Sequence, residues 1–204
     1  MNTLKNVITE LEDLFKVFNE KYFDSQLCRP VITVSPQGKE SVFGWCTSWK
    51  AWKGEGEGYY EINVCAEHLA RPFKEVAETL LHEMIHLYNV QNGVKDTSRG
   101  GTYHNKEFKT AAEQHGLTVF KDEKYGWCVT HLNEDSEEET QNFMNFIGKE
   151  SFSLYREGET KEEKEKKGGS NSIKYVCPMC GAIIRATKKV RVICAECDVE
   201  FVEG

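Results

Sequence analysis

Features that would place a chain in a membrane or on nucleic acid are absent or scarce in this sequence. No run approaches the ~20 apolar residues that a membrane-spanning helix requires. The N-terminal segment alternates apolar with charged residues and lacks the basic start and continuous apolar stretch of a secretory signal. Basic residues are also fewer than acidic ones, with 26 Lys and Arg against 33 Asp and Glu among 204 residues. We therefore expect a soluble cytoplasmic protein without a membrane partner, and the net charge of −7 disfavours general affinity for nucleic acid.

The negative charge is concentrated in one segment of the chain. Residues 134–168 contain 11 acidic and six basic side chains, whereas the parts before and after them are close to neutral. Residues 168–172 have the Gly/Ser composition of a hinge. The sequence thus predicts a first domain over 1–133, an acidic connecting segment with this hinge over 134–172, and a small module over 173–204. Apolar residues within the acidic segment leave two alternatives open, a helix that docks on the core or a partly ordered linker.

Eight cysteines divide into two CxxC pairs and four single residues. In a chain without a secretory signal, paired CxxC motifs favour a zinc site over disulfides. Cys177/Cys180 and Cys194/Cys197 are separated by 13 residues, so two knuckles on facing hairpins would supply four thiolates to a closed structural zinc site. A redox dithiol is the alternative, but a module of about 30 residues needs such a staple to fold. The single cysteines are expected to be small buried apolar residues: Cys28, Cys46, Cys65 and Cys128.

Hydrophobic periodicity predicts an α+β fold. Apolar residues at three- and four-residue steps indicate an amphipathic helix over residues 4–23, with Thr3 as its N-cap. Pro72 and Gly93 bracket a second helix, and a third is expected from about His104 to Gln114. Short β-type runs separated by glycine and proline predict strands: 31–34, 42–49, 59–64, 117–120 and 127–132. We therefore expect three helices beside a small antiparallel sheet, followed by a zinc ribbon.

The middle of the second predicted helix reads His82-Glu83-Met84-Ile85-His86. Histidines four residues apart lie on one helix face, so both imidazoles can reach one metal ion. Zinc hydrolases hold the ion with three protein ligands and keep one position for water. Glu83 comes next to that position, where it can act as a general base. The pattern also occurs by chance, but its place on the flank of a strongly amphipathic helix favours a catalytic zinc site.

A third ligand is expected from His104, which follows His86 after a polar loop of 17 residues. The alternative for this residue is a surface histidine that caps a helix. If it does not bind the metal, a carboxylate of the 91–107 segment is the next candidate, such as Asp96 or Glu107. The other histidines lack ligand spacing and are expected to be surface or structural residues: His68, His115 and His131.

Two groups of residues favour nucleic acid as a partner. Between the cysteine pairs the module carries four basic residues and no acidic one: Arg185, Lys188, Lys189 and Arg191. Such a hairpin can contact phosphates, although a merely solvated hairpin has the same composition. Trp45, Trp49 and Trp52 interleave with two lysines and could stack on unpaired bases. Because Trp45 and Trp49 also have the spacing of one strand face, core packing is expected for at least one of them.

The motif HEMIH, the glycine-containing loop and the segment HNKEF together resemble the SprT-like family, which includes the Spartan proteases of DNA–protein crosslink repair. The family places its third histidine in an HGxxF-type segment, which His104 and Phe108 match, whereas Asn105 replaces the glycine. Upstream matches extend the resemblance over about residues 5–130: Tyr22-Phe23, Leu27, Pro30 and Gly44-Trp45. The resemblance implies a zincin-like metallopeptidase fold with a zinc-binding subdomain beside the protease cleft.

The resulting hypothesis is a zinc metalloendopeptidase that cleaves protein substrates, with zinc bound by His82, His86 and His104 and with Glu83 as the catalytic residue. The resemblance adds DNA-bound or crosslinked proteins as substrates and single-stranded DNA as a candidate partner. The alternative is a stress-related DNA- or protein-binding factor whose HExxH metal site is structural or silent. Glu83 disfavours that alternative, because a structural site has no need of a base.

Overall fold

A computed structural model describes residues 3–37, 41–54, 56–157 and 172–204. The chain divides into two compact units, residues 1–158 and 159–204. The predicted hinge at 168–172 lies outside the described residues except for Ser172. Among the described residues, no helix is both long enough and apolar enough to cross a membrane.

The described part of the first unit contains four α-helices: α1 (Leu4–Tyr22), α2 (Phe73–Gln91), α3 (Lys106–Gln114) and α4 (Glu134–Ile147). The expectation of three helices is therefore wrong, because the charged run that opens the acidic segment forms α4. Asn133 caps this helix by accepting a hydrogen bond from the Ser136 backbone N–H. Acidic residues fill its first turn, where the helix dipole favours negative charge. Phe143 then packs on Phe73 of α2, with ring centroids 5.9 Å apart, so residues 134–147 dock on the core.

The two longest helices follow the predicted periodicity. Thr3 accepts a hydrogen bond from the Asn6 backbone N–H at the start of α1, and α1 buries one apolar face: Val7, Leu11, Leu14, Phe15 and Phe18. The predicted apolar stripe of α2 is buried as well: Phe73, Val76, Ala77, Leu80, Met84 and Leu87. Helix α2 also buries three polar side chains, Thr79, Glu83 and Asn89. The helix therefore places an ionisable carboxyl group inside the core of the first unit.

Two small sheets flank α2 in the first unit. One contains β1 (Val31–Ser35), β2 (Gly44–Cys46) and β3 (Glu61–Cys65) in the order β1-β3-β2. The prediction of an antiparallel sheet is wrong here, because β1 pairs with β3 in parallel and only β2 is antiparallel to β3. The glycine and proline turns between the predicted strands suggested that each strand pairs with the next one along the chain. Instead, the connection between β2 and β3 is long enough for β3 to lie between β1 and β2.

The second sheet has the order β4-β5-β7-β6. Its strands are β4 (Thr97–Ser98), β5 (Tyr103–His104), β6 (Leu117–Asp122) and β7 (Gly126–Leu132). Strands β6 and β7 form an antiparallel hairpin, and β5 joins β7 in parallel where His104 pairs with Gly126. This pairing holds His104, at the end of the connection that follows α2, close to that helix.

The second unit consists of short strands around the four paired cysteines. Its strands are β8 (Ile173–Val176), β9 (Ile183–Ala186), β10 (Ile193–Cys194), β11 (Val199–Glu200) and β12 (Val202–Glu203). They form a three-stranded sheet of order β12-β8-β9 and a two-stranded β10-β11 hairpin. Tyr175 and Cys177 are buried within this small unit. The whole described chain is therefore α+β, with small sheets.

Candidate metal centre

Three histidine rings converge on one point beside α2. His82 and His86 lie one turn apart on the helix, and His104 approaches from β5. The Nε2 atom of His104 is 3.3 Å from Nε2 of His82 and 3.1 Å from Nε2 of His86. The sequence had placed His104 at the start of the third helix, but it lies on a strand and α3 begins only at Lys106.

The spacing of these nitrogens fits a zinc ion. Zinc–nitrogen bonds of about 2.0–2.1 Å in a tetrahedron place two ligand nitrogens about 3.3–3.4 Å apart. The Nδ1 atoms of two of the rings face other partners: His86 Nδ1 is 2.7 Å from Asp96 Oδ2, and His82 Nδ1 is 3.0 Å from Thr130 Oγ1. With Nδ1–H donating to these oxygens, each Nε2 lone pair points towards the common centre, which is the arrangement that a cation requires.

The environment of the rings keeps them available as ligands. Burial lowers the pKa of His82 well below its ordinary value, and the nearby His86 and His104 charges lower it further. Burial likewise lowers the pKa of His104 to about 4. Burial also acts to lower the pKa of His86, but the hydrogen bond to Asp96 and the charges of Glu83 and Asp96 together raise it. Since metal ligands must be neutral imidazoles, His82 and His104 need not release a proton at neutral pH in order to bind.

Asp96 and Thr130 are the residues that sequence reasoning missed in these roles. Asp96 had been considered only as a replacement ligand, yet its carboxylate holds the ring of His86 and also accepts a hydrogen bond from Asn89 Nδ2 at 3.1 Å. Thr130 lies on β7, far along the chain from its partner His82. Nothing in the local sequence marks either residue, because both contacts depend on how the loop and β7 fold back on α2.

Glu83 is buried beside the three histidines, with 5% of its surface exposed. Burial raises the pKa of this carboxyl to about 7, the charge of His86 opposes the shift, and that of Asp96 adds to it. Strand β2 passes close to the carboxylate because Gly44 has no side chain. A methyl group at Gly44 would lie 3.1 Å from Glu83 Oε1 and 2.8 Å from the Asn63 carbonyl oxygen. The glycine therefore creates the space that the carboxylate occupies.

Phe108 forms the floor of the histidine cluster. Its ring centroid lies 4.6–4.7 Å from the ring centroids of all three histidines, and the side chain is fully buried. Phe108 lies on α3, and Asn105 caps the start of that helix by accepting hydrogen bonds from the backbone N–H groups of Glu107 and Phe108. Its φ of −92° does not require glycine. Asparagine at this position thus supplies a helix cap without disturbing the fold of the segment.

The four paired cysteines form a second cluster in the other unit, with their sulfurs within 4.8 Å of one another. Cys180 Sγ is 3.8 Å from Cys194 Sγ. The Cys180 backbone N–H donates to Cys177 Sγ at 3.5 Å, and this hydrogen bond, with others from the Met179 backbone and the neighbouring thiols, lowers the pKa of the Cys177 thiol. A sulfur-rich tetrahedral set of this kind suits a structural zinc ion.

The remaining predicted residues lie elsewhere. His131 pairs with Glu78 at 3.3 Å, His68 packs edge-on against Phe43, and the ring of His115 lies against aromatic residues of the core. None of the three belongs to the histidine cluster. Their assignment as surface or structural residues therefore needs no revision.

The basic residues between the cysteine pairs do not form the predicted hairpin, because β9 pairs with β8 and β10 with β11, and three of them have partners. Arg191 pairs with Glu200 at 3.0 Å and Lys189 with Glu203 at 3.6 Å, both acids coming from beyond the second cysteine pair. Arg185 lies 3.4 Å from Ser172 Oγ. Exposed pairs of this kind are weak and can exchange for phosphates, so contact with nucleic acid stays a prediction.

A helix carrying HExxH, a buried glutamate and a third histidine from a later strand define a metallopeptidase-type domain. The sequence model of the SprT-like family matches residues 11–131, more than half of the chain. The chain therefore belongs to the SprT-like family. Comparisons with curated proteins and with solved structures gave no significant match. The family match includes all three histidines, Glu83, Asp96 and Phe108, and it ends before the cysteine module.

Proposed function

We propose that the protein is a zinc-dependent endopeptidase of zincin-like architecture. The observation that carries this proposal is the convergence of three Nε2 atoms, those of His82 and His86 lying 3.3 and 3.1 Å from that of His104, next to the buried Glu83. The three histidines would hold the ion and leave a coordination position for water. Four thiolates in the second unit would hold a separate structural zinc ion.

Each residue around the histidines has a separate role in the proposed reaction. Bound zinc supplies a Lewis acid that polarises the scissile carbonyl and lowers the pKa of water. Glu83 accepts a proton from the attacking water and returns it to the leaving amine. Asp96 and Thr130 fix the orientation of the rings of His86 and His82, and Gly44 keeps β2 out of the space of the Glu83 carboxylate.

Substituting Glu83 by Gln tests this function. We expect the variant to keep its fold and both zinc ions while cleavage of a labelled unfolded protein falls by ~10²–10⁴-fold. Glu78→Gln is the matched control, because Glu78 lies on the same helix but faces His131 at the surface. Zinc content by elemental analysis and the cleavage rate are measured on the same preparations. Equal cleavage by Glu83→Gln and wild type would show that Glu83 is not the base.

The alternative, a binding factor with a silent metal site, makes a different prediction. Such a protein would bind two zinc ions and cleave nothing, and Glu83→Gln would change neither property. We favour the enzyme because Glu83 is a buried carboxyl group beside the three histidines. Burying an ionisable group lowers the stability of the fold, and a silent site gives no reason to keep it there.

For the substrate we propose DNA-bound or crosslinked proteins, with single-stranded DNA contacting the basic segment between the two cysteine pairs. Support comes from family membership and from four exposed cations of that segment: Arg185, Lys188, Lys189 and Arg191. Binding should weaken with salt by a log–log slope of roughly −0.7 per phosphate contact. Replacing all four by serine should flatten that slope. An unchanged slope would remove the basic segment from DNA binding. We also propose a reducing, cytoplasmic setting, because the four paired cysteines would bind zinc as thiolates and not as disulfides.

A further inference from the structure

A cavity of about 370 Å³ opens beside strand β2. Its walls include two tryptophans, Trp45 and Trp49, together with Cys46 and the carboxylate of Glu61. Trp49 has 64% of its surface exposed, which is high for so large an apolar side chain. The cavity thus combines open aromatic surface with one acidic group.

The cavity and Glu83 lie on opposite faces of strand β2. Trp45 pairs with Asn63, and Glu61 lies two residues from Asn63 on β3, so Trp45 and Glu61 share one face of the sheet. Gly44 faces the other way, since a methyl group there would lie 3.1 Å from Glu83 Oε1. Among the described strands β2 lies at the edge of its sheet, so a substrate peptide that pairs with it would alternate its side chains between the two faces. A side chain next to one that faces Glu83 would therefore face the cavity.

The carboxylate of Glu61 is held in place by the fold. Its Oε1 accepts a hydrogen bond from Thr33 Oγ1 at 2.7 Å, and its Oε2 accepts one from Trp52 Nε1 at 2.9 Å. Each carboxylate oxygen has two lone pairs, so both oxygens keep capacity for another donor. Because the side chain is already ordered, a ligand would not bear the entropy cost of fixing it.

Indole faces and a fixed carboxylate attract the same kind of group. Tryptophan rings attract cations through the negative face of the indole, and a carboxylate adds charge-assisted hydrogen bonds. A phosphate would be repelled by Glu61, which argues against the stacking of nucleic-acid bases at Trp49. We propose that this cavity is a specificity pocket for a lysine or arginine side chain of the polypeptide substrate. The proposal rests on the endopeptidase function for its context, but the binding of the side chain can be measured without cleavage.

Binding is tested on the full-length, zinc-loaded Glu83→Gln protein. The probes are three acetylated peptide amides that carry lysine, norleucine or glutamate at one position in an otherwise Ala/Ser sequence. Tryptophan fluorescence reports binding directly, because two tryptophans line the cavity. We expect the lysine peptide to bind at least ~10-fold tighter than the norleucine peptide, which corresponds to about 1.4 kcal/mol. Adding Glu61→Gln should abolish that preference.

Glu57→Gln is the matched control. It removes the same charge as Glu61→Gln, but from an exposed acid that pairs with Lys50. It should leave the preference for lysine intact, and thermal unfolding should show that both variants are folded. Equal affinity for lysine and norleucine peptides, or a preference that survives Glu61→Gln, would overturn the pocket. Displacement of the fluorescence signal by a single-stranded oligonucleotide, independent of Glu61, would also overturn it in favour of nucleic acid.

Cleavage of the same peptides by the wild-type protein separates the two proposals. A preference for lysine in kcat/KM that disappears in Glu61→Gln would support both. Lysine-selective binding without any cleavage would support the pocket and refute the peptidase. Cleavage with no selectivity for lysine would refute the pocket and leave the peptidase standing.

Discussion

The contact between Asp96 and His86 gives the sharpest test of the metal centre. Asp96 Oδ2 accepts hydrogen bonds from His86 Nδ1 at 2.7 Å and from Asn89 Nδ2 at 3.1 Å. Asp96→Asn can keep an oxygen at this position while removing the negative charge. Asp96→Ala removes the acceptor altogether and leaves the buried Asn89 amide without this partner. The two substitutions therefore separate charge from hydrogen bonding.

The expected magnitudes follow from these contacts. Loss of a group that orients a metal-binding histidine costs ~10–100-fold in metal affinity. We expect Asp96→Asn near the lower end, about 10-fold or 1.4 kcal/mol, because a neutral oxygen still holds the ring. We expect Asp96→Ala near the upper end, about 100-fold, with an added ~1–3 kcal/mol loss of unfolding free energy from the unpaired amide of Asn89.

Competition with a fluorescent zinc chelator measures the affinity, and denaturant unfolding of the zinc-free protein measures stability. Asp13→Asn is the control, because Asp13 is an exposed acid that pairs with Lys16 on α1, away from the histidines. Wild-type zinc affinity in Asp96→Ala would refute an orienting role for Asp96. A loss as complete in Asp96→Asn as in His104→Ala would instead make Asp96 a direct ligand.

Two further predictions concern the strand beside Glu83 and the second zinc site. Gly44→Ala should lower peptidase activity at least ~10-fold and reduce stability by ~1–3 kcal/mol, because the new methyl group would lie 2.8 Å from a backbone carbonyl oxygen and 3.1 Å from Glu83 Oε1. Wild-type activity together with wild-type stability would contradict this. Replacing Cys177 and Cys180 by serine should reduce the zinc content from two ions to one while the histidine site stays loaded. Elemental analysis of the purified variant decides this, and a zinc content of one in the unsubstituted protein would refute the two-site assignment.

Local rules were sufficient for the long helices and for part of the centre. The i and i+4 spacing of His82 and His86 fixes both rings on one face of α2, whatever the rest of the chain does. The capping of α1 by Thr3 is equally local. The clustering of the four paired cysteines also follows the prediction from their spacing.

Contacts between distant segments could not be predicted in the same way. The parallel pairing of β1 with β3 depends on how residues 36–60 return, which turn residues alone do not specify. His104 was expected on a helix because Lys106–Gln114 has helical periodicity, but the chain pairs with Gly126 before that helix begins. Helix α4 was left open because charge dominates its composition, although Asn133 and its first-turn acids are ordinary signals of a helix start.

The metal centre therefore has a local part and an assembled part. Helix α2 alone supplies two of the histidines and Glu83, and this would hold for any chain with the same motif. His104, its supporting Phe108 and the oxygens that orient the other rings come from the 94–108 segment and from β7. These parts meet only when the two sheets are docked on α2. A zinc ion that binds the assembled site and not the unfolded chain would add about 1.4 kcal/mol to the stability of that docked arrangement for each tenfold excess over its dissociation constant.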